Sequence, residues 1–264
     1  MQATQLIPHI KKVFVKKNAL PSYFIFYPTS RCNMKCTHCF YHDSLNKKVN
    51  ELSIEEIDKF TKTMDPLLHL VLTGGEPYVR KDMAEIVYTF WKNTKVPIIS
   101  IPSNGFFQEQ MLQQIDMMFI KCPGIVINQN VSLDGIGGEH VKIRGIKGCY
   151  ERSLDTIAKL KELKKKHPKL NVGVITTFTN QNQHNFPEII KTIYEVAKPD
   201  NIAINLVRGD PKEKVNLNLD INLYKEAVAF RDKLFYTKEM KGHQGFPLAK
   251  VTTAARIILN EETE

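Results

Sequence analysis

No apolar run in this sequence approaches the roughly 20 residues that a membrane-crossing helix needs. The opening stretch, Met1-Gln2-Ala3-Thr4-Gln5-Leu6-Ile7-Pro8, has no signal-peptide core. With neither feature in the sequence, a soluble cytoplasmic protein is the expectation. Cysteine is scarce: five in 264 residues, three of them in one short loop. That usage excludes the disulfide framework of a small secreted domain and suits a reducing compartment in which thiolates hold metal. Internal repeats and low-complexity linkers are lacking, and the length, with 42% hydrophobic residues, fits one α/β domain with a full core. No aromatic residue interleaves with the lysines of Lys159-Leu160-Lys161-Glu162-Leu163-Lys164-Lys165-Lys166-His167. A stacking platform for nucleic acid is therefore disfavoured. The run reads instead as the solvent face and last turn of a helix, where cations complement the helix dipole.

Positive charge is in excess, with 37 Lys and Arg against 28 acidic residues and a net +9. Such a balance suits an anionic partner, whether RNA, a phosphorylated metabolite or a membrane surface, although the lysine-rich helix carries much of it. Residues 1–20 read as a basic extension, in which Ile10-Lys11-Lys12-Val13-Phe14-Val15-Lys16-Lys17 forms a surface strand or a basic edge facing phosphate or lipid. Over residues 21–236, strand-like runs alternate with helical periods. Strands are predicted at Tyr23–Pro28, His69–Thr73, Ile98–Ser103, Val126–Leu133, Val172–Phe178 and Ile202–Val207. Helices are predicted at Ser53–Met64, where Ser53 and Glu56 form a capping box, and at Asp82–Lys92, Gln108–Met117, Cys149–Lys166, Asn185–Ala197 and Asn222–Phe235. Six β/α units with parallel strands and no sign of two more imply an open, partial (β/α)6 TIM-like barrel. Residues 237–264 read as a helical tail, of a whole or a truncated chain, broken at Gly242–Pro247.

The most informative stretch is Thr29-Ser30-Arg31-Cys32-Asn33-Met34-Lys35-Cys36-Thr37-His38-Cys39-Phe40-Tyr41. Three thiolates at this spacing can each hold one iron of a four-iron, four-sulfur cube and leave the fourth iron open to bind a small molecule. Cys32, Cys36, Cys39 and His42 also have the spacing of a structural Cys3His zinc loop. Cys122 and Cys149, the remaining pair, read as small buried residues. After the second strand comes Thr73-Gly74-Gly75-Glu76-Pro77, followed by Tyr78-Val79-Arg80-Lys81-Asp82. Paired glycines at a strand end let a ligand approach main-chain groups closely.

The cysteine loop after the first strand and Gly-Gly-Glu-Pro after the second, in this order, resemble the radical S-adenosylmethionine (SAM) superfamily. Ile99-Ser100-Ile101-Pro102-Ser103-Asn104-Gly105 is similar to that family's third strand, and Asn130-Val131-Ser132-Leu133-Asp134-Gly135 to its fourth. The details most resemble the SPASM/twitch branch of peptide maturases, the molybdenum-cofactor enzyme and the PQQ maturase. The resemblance implies the same partial barrel, a 4Fe-4S cluster on Cys32, Cys36 and Cys39, and SAM held by its amino and carboxylate groups on the open iron. It places Gly74, Gly75, Glu76 and Pro77 beside the methionine end. Gly75 is expected to admit no side chain because a Cβ would obstruct that end. Ser103, Asn104 and Ser132 become candidates for the carboxylate and ribose hydroxyls, Asp134 for the cofactor site, and Arg144 for a clamp on the carboxylate.

Two departures qualify the resemblance. The residue before the last cysteine, usually an aromatic lying against adenine, is His38, so Phe40 and Tyr41 are candidates to share the stacking. Cysteine is also lacking after Cys149, whereas that branch commonly carries further clusters in a C-terminal extension. Either one cluster suffices or the chain is a piece of a longer protein. The implied activity is one-electron cleavage of SAM to a 5'-deoxyadenosyl radical that abstracts a hydrogen atom, fed by an external electron donor. A peptide or protein is the first expected substrate; RNA, a lipid and a cofactor precursor are alternatives, with nucleic acid not favoured. Arg208 and Asp210, after the last strand, are candidates for substrate contact or for a structural ion pair. A non-enzymatic zinc-binding module is the rival class.

Overall fold

The computed structural model describes residues 22–48 and 50–236. The expected basic extension at 1–20 and tail at 237–264 lie outside these residues. Six parallel strands, β1 (Tyr23–Thr29), β2 (His69–Gly74), β3 (Ile98–Ser103), β4 (Val126–Ser132), β5 (Leu170–Phe178) and β6 (Asn201–Leu206), form one sheet in sequence order. β1 and β6 end that order unpaired with each other, so the sheet is an open, partial barrel. Seven helices pack outside it: α1 (Ile54–Thr61), α2 (Met83–Thr94), α3 (Gln108–Lys121), α4 (Gly138–Arg144), α5 (Cys149–Lys166), α6 (Phe186–Ala197) and α7 (Ile221–Tyr236). None of the described helices is long and apolar enough to cross a membrane.

Alternation along the strands explains the layering. In β2, β3 and β4 every second residue is fully covered while its neighbours are half-buried. The covered face, including Leu70, Leu72, Ile99, Ile101, Ile127 and Val131, forms the core with the helices. Phe24 and Phe26 stack there on Phe60 and Phe90, with ring centroids 5.4–6.4 Å apart. The other, concave face is polar in its lower half. His69 Nε2 lies 2.8 Å from Ser100 Oγ, Asn128 Nδ2 donates to the same oxygen at 3.2 Å, and Asn171 Nδ2 donates to Asn128 Oδ1 at 2.8 Å. A closed eight-stranded barrel fills this space with branched aliphatic side chains. Here the lining is hydrogen-bonded and half-open.

The expected elements are present with shifted ends. Ser53 caps α1 through the predicted box: Glu56 N donates to Ser53 Oγ at 3.2 Å and Ser53 N to Glu56 Oε2 at 2.8 Å. α3 runs on to Lys121 and β5 begins at Leu170, two residues earlier than the pattern indicates. The unexpected helix is α4, whose seven residues are bounded by Gly137 at φ 54° and Gly145 at φ 75°. The lysine run of α5 is an ion-paired surface, with Lys164 on Asp200 and Lys166 on Asp116 at 2.6 Å. Cys122 and Cys149 are buried, and all five cysteines are free.

Arg80 fastens the top of the sheet. Its Nη1 donates to the carbonyls of Pro28 at 3.1 Å and Leu52 at 2.9 Å, and its Nε to Asp82 Oδ1 at 2.8 Å. The Arg-x-Asp that follows Gly-Gly-Glu-Pro is thus a clamp on the end of β1. Arg80→Ala leaves the buried Pro28 carbonyl and the part-buried Leu52 carbonyl without a charged donor, and a loss of about 2–3 kcal/mol is expected in urea unfolding.

Candidate active site at the strand ends

Every segment picked out in the sequence lies at or just beyond the C-terminal end of a strand, and hydrogen bonds join them. The chain leaving β1 passes over the turn that ends β2: Gly75 N donates to Thr29 O at 2.9 Å and Glu76 N to Arg31 O at 2.8 Å. Gly74 adopts φ +109°, open to glycine and strained for other residues. A Cβ on Gly75 would sit 2.2 Å from the Arg31 carbonyl oxygen. The obstacle to a side chain that the structure shows there is the cysteine loop itself.

The loop is tied down on three further sides. Asn46, itself left-handed at φ 58°, reads the Cys32 peptide from both ends: Cys32 N donates to its Oδ1 at 2.9 Å and its Nδ2 donates to Cys32 O at 3.0 Å. At the end of α4, Lys35 N donates to Arg144 O at 3.3 Å and Thr37 N to Ile143 O at 3.0 Å. From the loop after β6, Lys212 N donates to Cys39 O at 3.2 Å and Glu213 N to Thr37 O at 2.8 Å. Thr37 Oγ1 also donates to Gln181 Oε1 at 2.7 Å. Asn46 and Gln181 escape sequence reasoning; only the tolerance of asparagine for left-handed backbone hints at the first.

The polar candidates are largely engaged with one another. Glu76 is buried, and its carboxylate accepts from Tyr78 N at 3.2 Å, Ser103 Oγ at 2.8 Å and Asn104 N at 2.8 Å. Burial raises its pKa against the pull of those bonds. Asn104 Nδ2 reaches into the cysteine loop to Asn33 Oδ1 at 2.8 Å, while its Oδ1 accepts from Phe106 N at 2.9 Å. Glu76, Ser103 and Asn104 thus brace turn, strand and loop together. Pro77 opens the short turn at Pro77–Val79 and is buried, and Ser132 closes β4 at the same level.

Asp134 and Arg144, both expected at the cofactor, are paired with each other. Arg144 Nε lies 2.5 Å from Asp134 Oδ2, with both side chains buried, and Asp134 Oδ1 accepts from Thr177 N at 2.8 Å. Arg144 Nη1 donates to Cys36 Sγ at 3.7 Å. His38 turns inward too: its side chain is 10% exposed, and Nε2 sits 3.8 Å from Asp134 Oδ2, away from any open stacking surface. Burial pushes His38 down to about 4, as it does His140, whose Nδ1 accepts from Asp134 N at 3.1 Å. The exposed rings are elsewhere. Phe40 is 45% exposed, with the Arg208 guanidinium 5.7 Å above it, and Tyr41 lies 5.3 Å from Tyr27. Arg208 is therefore brought to the loop, whereas Asp210 forms an ion pair with Lys214.

Two observations bear on which metal group these residues fit. Zinc–sulfur bonds of about 2.3 Å draw ligand sulfurs to within about 4.6 Å of one another. Among the described residues, the trio of His, Cys, Asp or Glu ligand atoms lying within 4.8 Å of one another is His42, Asp43 and Asp210, not the cysteines. The three cysteine sulfurs do not all lie within that distance of one another. Met34 N donates to Cys32 Sγ at 3.4 Å and Arg144 Nη1 to Cys36 Sγ at 3.7 Å, contacts that suit an anionic sulfur but are outweighed by burial. As free thiols they resist ionisation: burial pushes Cys32 up to about 12 and raises Cys36 and Cys39. Loading a cationic group would therefore release protons.

Two measurements follow from this geometry. Gly75→Ala forces the cysteine loop off its seat, so anaerobic reconstitution should give sharply reduced iron content along with a lower urea midpoint. His140 has its ordinary pKa of 6.5 lowered to about 4 in the fold. The unfolded chain takes up a proton there before the folded one does. Stability should be intact above pH 6.5 and fall as pH drops toward 4, by about 1.4 kcal/mol per pH unit for each such histidine. Urea titrations at pH 7 and 5 should show His140→Asn with a smaller acid loss than the parent protein.

Comparison with known proteins agrees with this arrangement. The family model described as "Radical SAM superfamily" matches residues 26–193. "Fe-coproporphyrin III synthase" of Methanosarcina barkeri is 29% identical over 85% of this chain and 53% of its own length. "GTP 3',8-cyclase" of Clostridium botulinum is 25% identical over 62% of this chain and 50% of its own. The chain spans about half the length of these curated relatives. Among solved structures, Streptococcus suis SuiB bound to its precursor peptide SuiA superimposes with a TM-score of 0.64 at 16% identity, over 89% of this chain and 50% of SuiB. By its matched domain and its relatives in the SPASM/twitch-type branch, the chain belongs to the radical SAM superfamily, whose cofactors are a 4Fe-4S cluster and S-adenosylmethionine.

Proposed function

We propose that Cys32, Cys36 and Cys39 hold the 4Fe-4S cluster and that the protein is a hydrogen-abstracting radical SAM enzyme. The observation that carries this reading is a three-sulfur loop fixed from four directions at the strand ends, its sulfurs not all within 4.8 Å of one another. When bound, the cluster and SAM supply one-electron cleavage to methionine and a 5'-deoxyadenosyl radical, which takes a hydrogen atom from the substrate. The chain's own part is to bind, orient and shield. Gly74 and Gly75 present main-chain groups beside the loop, and Glu76, Ser103 and Asn104 hold that wall rigid. Ser132 lines the next strand end, and exposed Phe40 with half-buried Tyr41 offers aromatic faces beside Cys39. An external one-electron donor and the reducing cytoplasm complete the reading.

For the substrate, the expected peptide draws support from a neighbour whose likeness is one of fold alone, SuiB with SuiA. An anionic cofactor precursor draws more. The relative named Fe-coproporphyrin III synthase aligns over most of this chain, the net charge is +9, and Arg208 stands over Phe40 at the rim. RNA draws little, because the lysines of α5 are matched by acidic partners.

The deciding experiment is anaerobic reconstitution followed by reduction with dithionite in the presence of SAM. Chromatography should show 5'-deoxyadenosine from the parent protein and none from Cys36→Ala. A reconstituted, SAM-binding protein that releases no 5'-deoxyadenosine would sink the enzyme reading, and stoichiometric zinc without iron would return the loop to a structural role.

A further inference from the structure

Strand register decides which side chains meet on the concave face. One level above the bonds that join Asn171, Asn128 and Ser100, Pro102 on β3 pairs with Asn130 on β4, Asn130 with Gly173 on β5, and Gly173 with Asn201 on β6. Asn130 thus has a proline and a glycine beside it, and neither side chain offers a hydrogen bond. β4 and β6 stand two strand spacings apart, about 9–10 Å. Both asparagines nevertheless lean across that gap, for a Cβ on Gly173 would sit 2.2 Å from Asn130 Oδ1 and 2.3 Å from Asn201 Oδ1. Gly173 is not among the glycines with positive φ, so its missing side chain supplies room rather than backbone freedom. Among the described residues neither carboxamide has a hydrogen-bond partner, whereas Asn128 and Asn171, one level below, are bonded to each other.

We propose that Asn130 and Asn201, over the floor left by Gly173, form a seat for an uncharged amide of the substrate, whose N–H is accepted between the two carboxamide oxygens. This rests on the reading above only in taking the barrel interior as the place that a substrate occupies. Two converging carbonyl oxygens repel a carboxylate and accept from an N–H. No strand side chain on the concave face is Asp, Glu, Lys or Arg, and burial lowers the pKa of His69, the one imidazole there. A charged group drawn onto this face loses water and gains no counter-ion, a cost that an amide avoids. A few placed polar groups in such a cavity fix orientation, and a ligand that leaves them unpaired is rejected. The seat therefore takes the uncharged part of the substrate, a peptide group or a lactam, and leaves any carboxylate at the rim beside Arg208.

The test is nuclear magnetic resonance of the full chain labelled with 15N-asparagine, before and after anaerobic reconstitution, read at the side-chain NH2 signals. Asn130→Ala and Asn201→Ala assign those signals. N-acetylglycine N-methylamide should shift both of them saturably, and 2-pyrrolidinone is titrated in parallel; the tighter of the two probes names a peptide group or a lactam as the source of the amide. N-acetylglycine, which carries a carboxylate at pH 7, should bind at least about tenfold more weakly. Each asparagine variant should weaken the favoured probe by about three- to tenfold, the worth of one hydrogen bond. Gly173→Ala, which pushes both side chains off the floor, should abolish saturable binding while the far-ultraviolet circular dichroism stays parental; if that variant does not fold, the two asparagine variants carry the measurement. Signals that no amide probe moves in the folded parent protein would overturn the proposal, as would equal affinity for N-acetylglycine. NH2 protons already protected from exchange in the free protein would also overturn it, by showing Asn130 and Asn201 bonded to each other as a structural pair. Amide binding by a chain that releases no 5'-deoxyadenosine would uphold the seat and sink the radical reading alone.

Discussion

The arrangement at the strand ends depends on one close approach, the crossing of the chain leaving β1 over Gly75. The Arg31 carbonyl occupies the position that a Cβ would need, and the two main-chain bonds flanking the crossing extend the β1–β2 pairing past the end of the sheet. Once that crossing is made, the cysteine loop has a fixed starting direction. Asn46 then secures Cys32, α4 supports Lys35 and Thr37, and the loop after β6 secures Cys39. Arg80 holds the end of β1 from the opposite side. The loop has no regular secondary structure of its own beyond short turns, so its shape is imposed by these anchors.

Beneath the loop lies a buried polar group, Asp134, Arg144, His38 and His140. Burying an ion pair costs more than packing hydrocarbon of equal volume, and breaking one partner away costs more still. Such a group confers geometric definition rather than stability. Asp134 alone fixes a strand end through Thr177, the His140 ring through its own N–H, and the guanidinium through its carboxylate.

The sheet and most helices are legible from pattern because each owes its form to local physics. Alternation of covered and half-covered residues marks β2 to β4, and the Ser53–Glu56 reciprocity marks the start of α1. The cysteines and the glycine pair are legible because few other chemistries need that spacing. What escapes is set by contacts distant in sequence. α4 is two turns long between glycines, and the face it buries, His140, Ile143 and Arg144, is mostly polar and gives no apolar period, yet it supplies the support for the loop. The inward turn of His38 depends on Asp134, and the engagement of Glu76 depends on Ser103 and Asn104. A polar side chain at a strand end reads the same in sequence whether it faces a ligand or a neighbouring element.

The bonds from Thr37 and Cys39 to residues 212–213 join the rim above β1 to the rim above β6, the two strands that leave the sheet open. The metal-bearing loop is thus also a lintel over the gap. Among the described residues, a molecule too bulky to slip beneath it meets the concave face from the side, between Tyr27 on β1 and Asn205 on β6, both exposed. Traffic into the barrel and the setting of the sulfurs are carried by the same few residues, so widening the doorway disturbs the fittings hung above it.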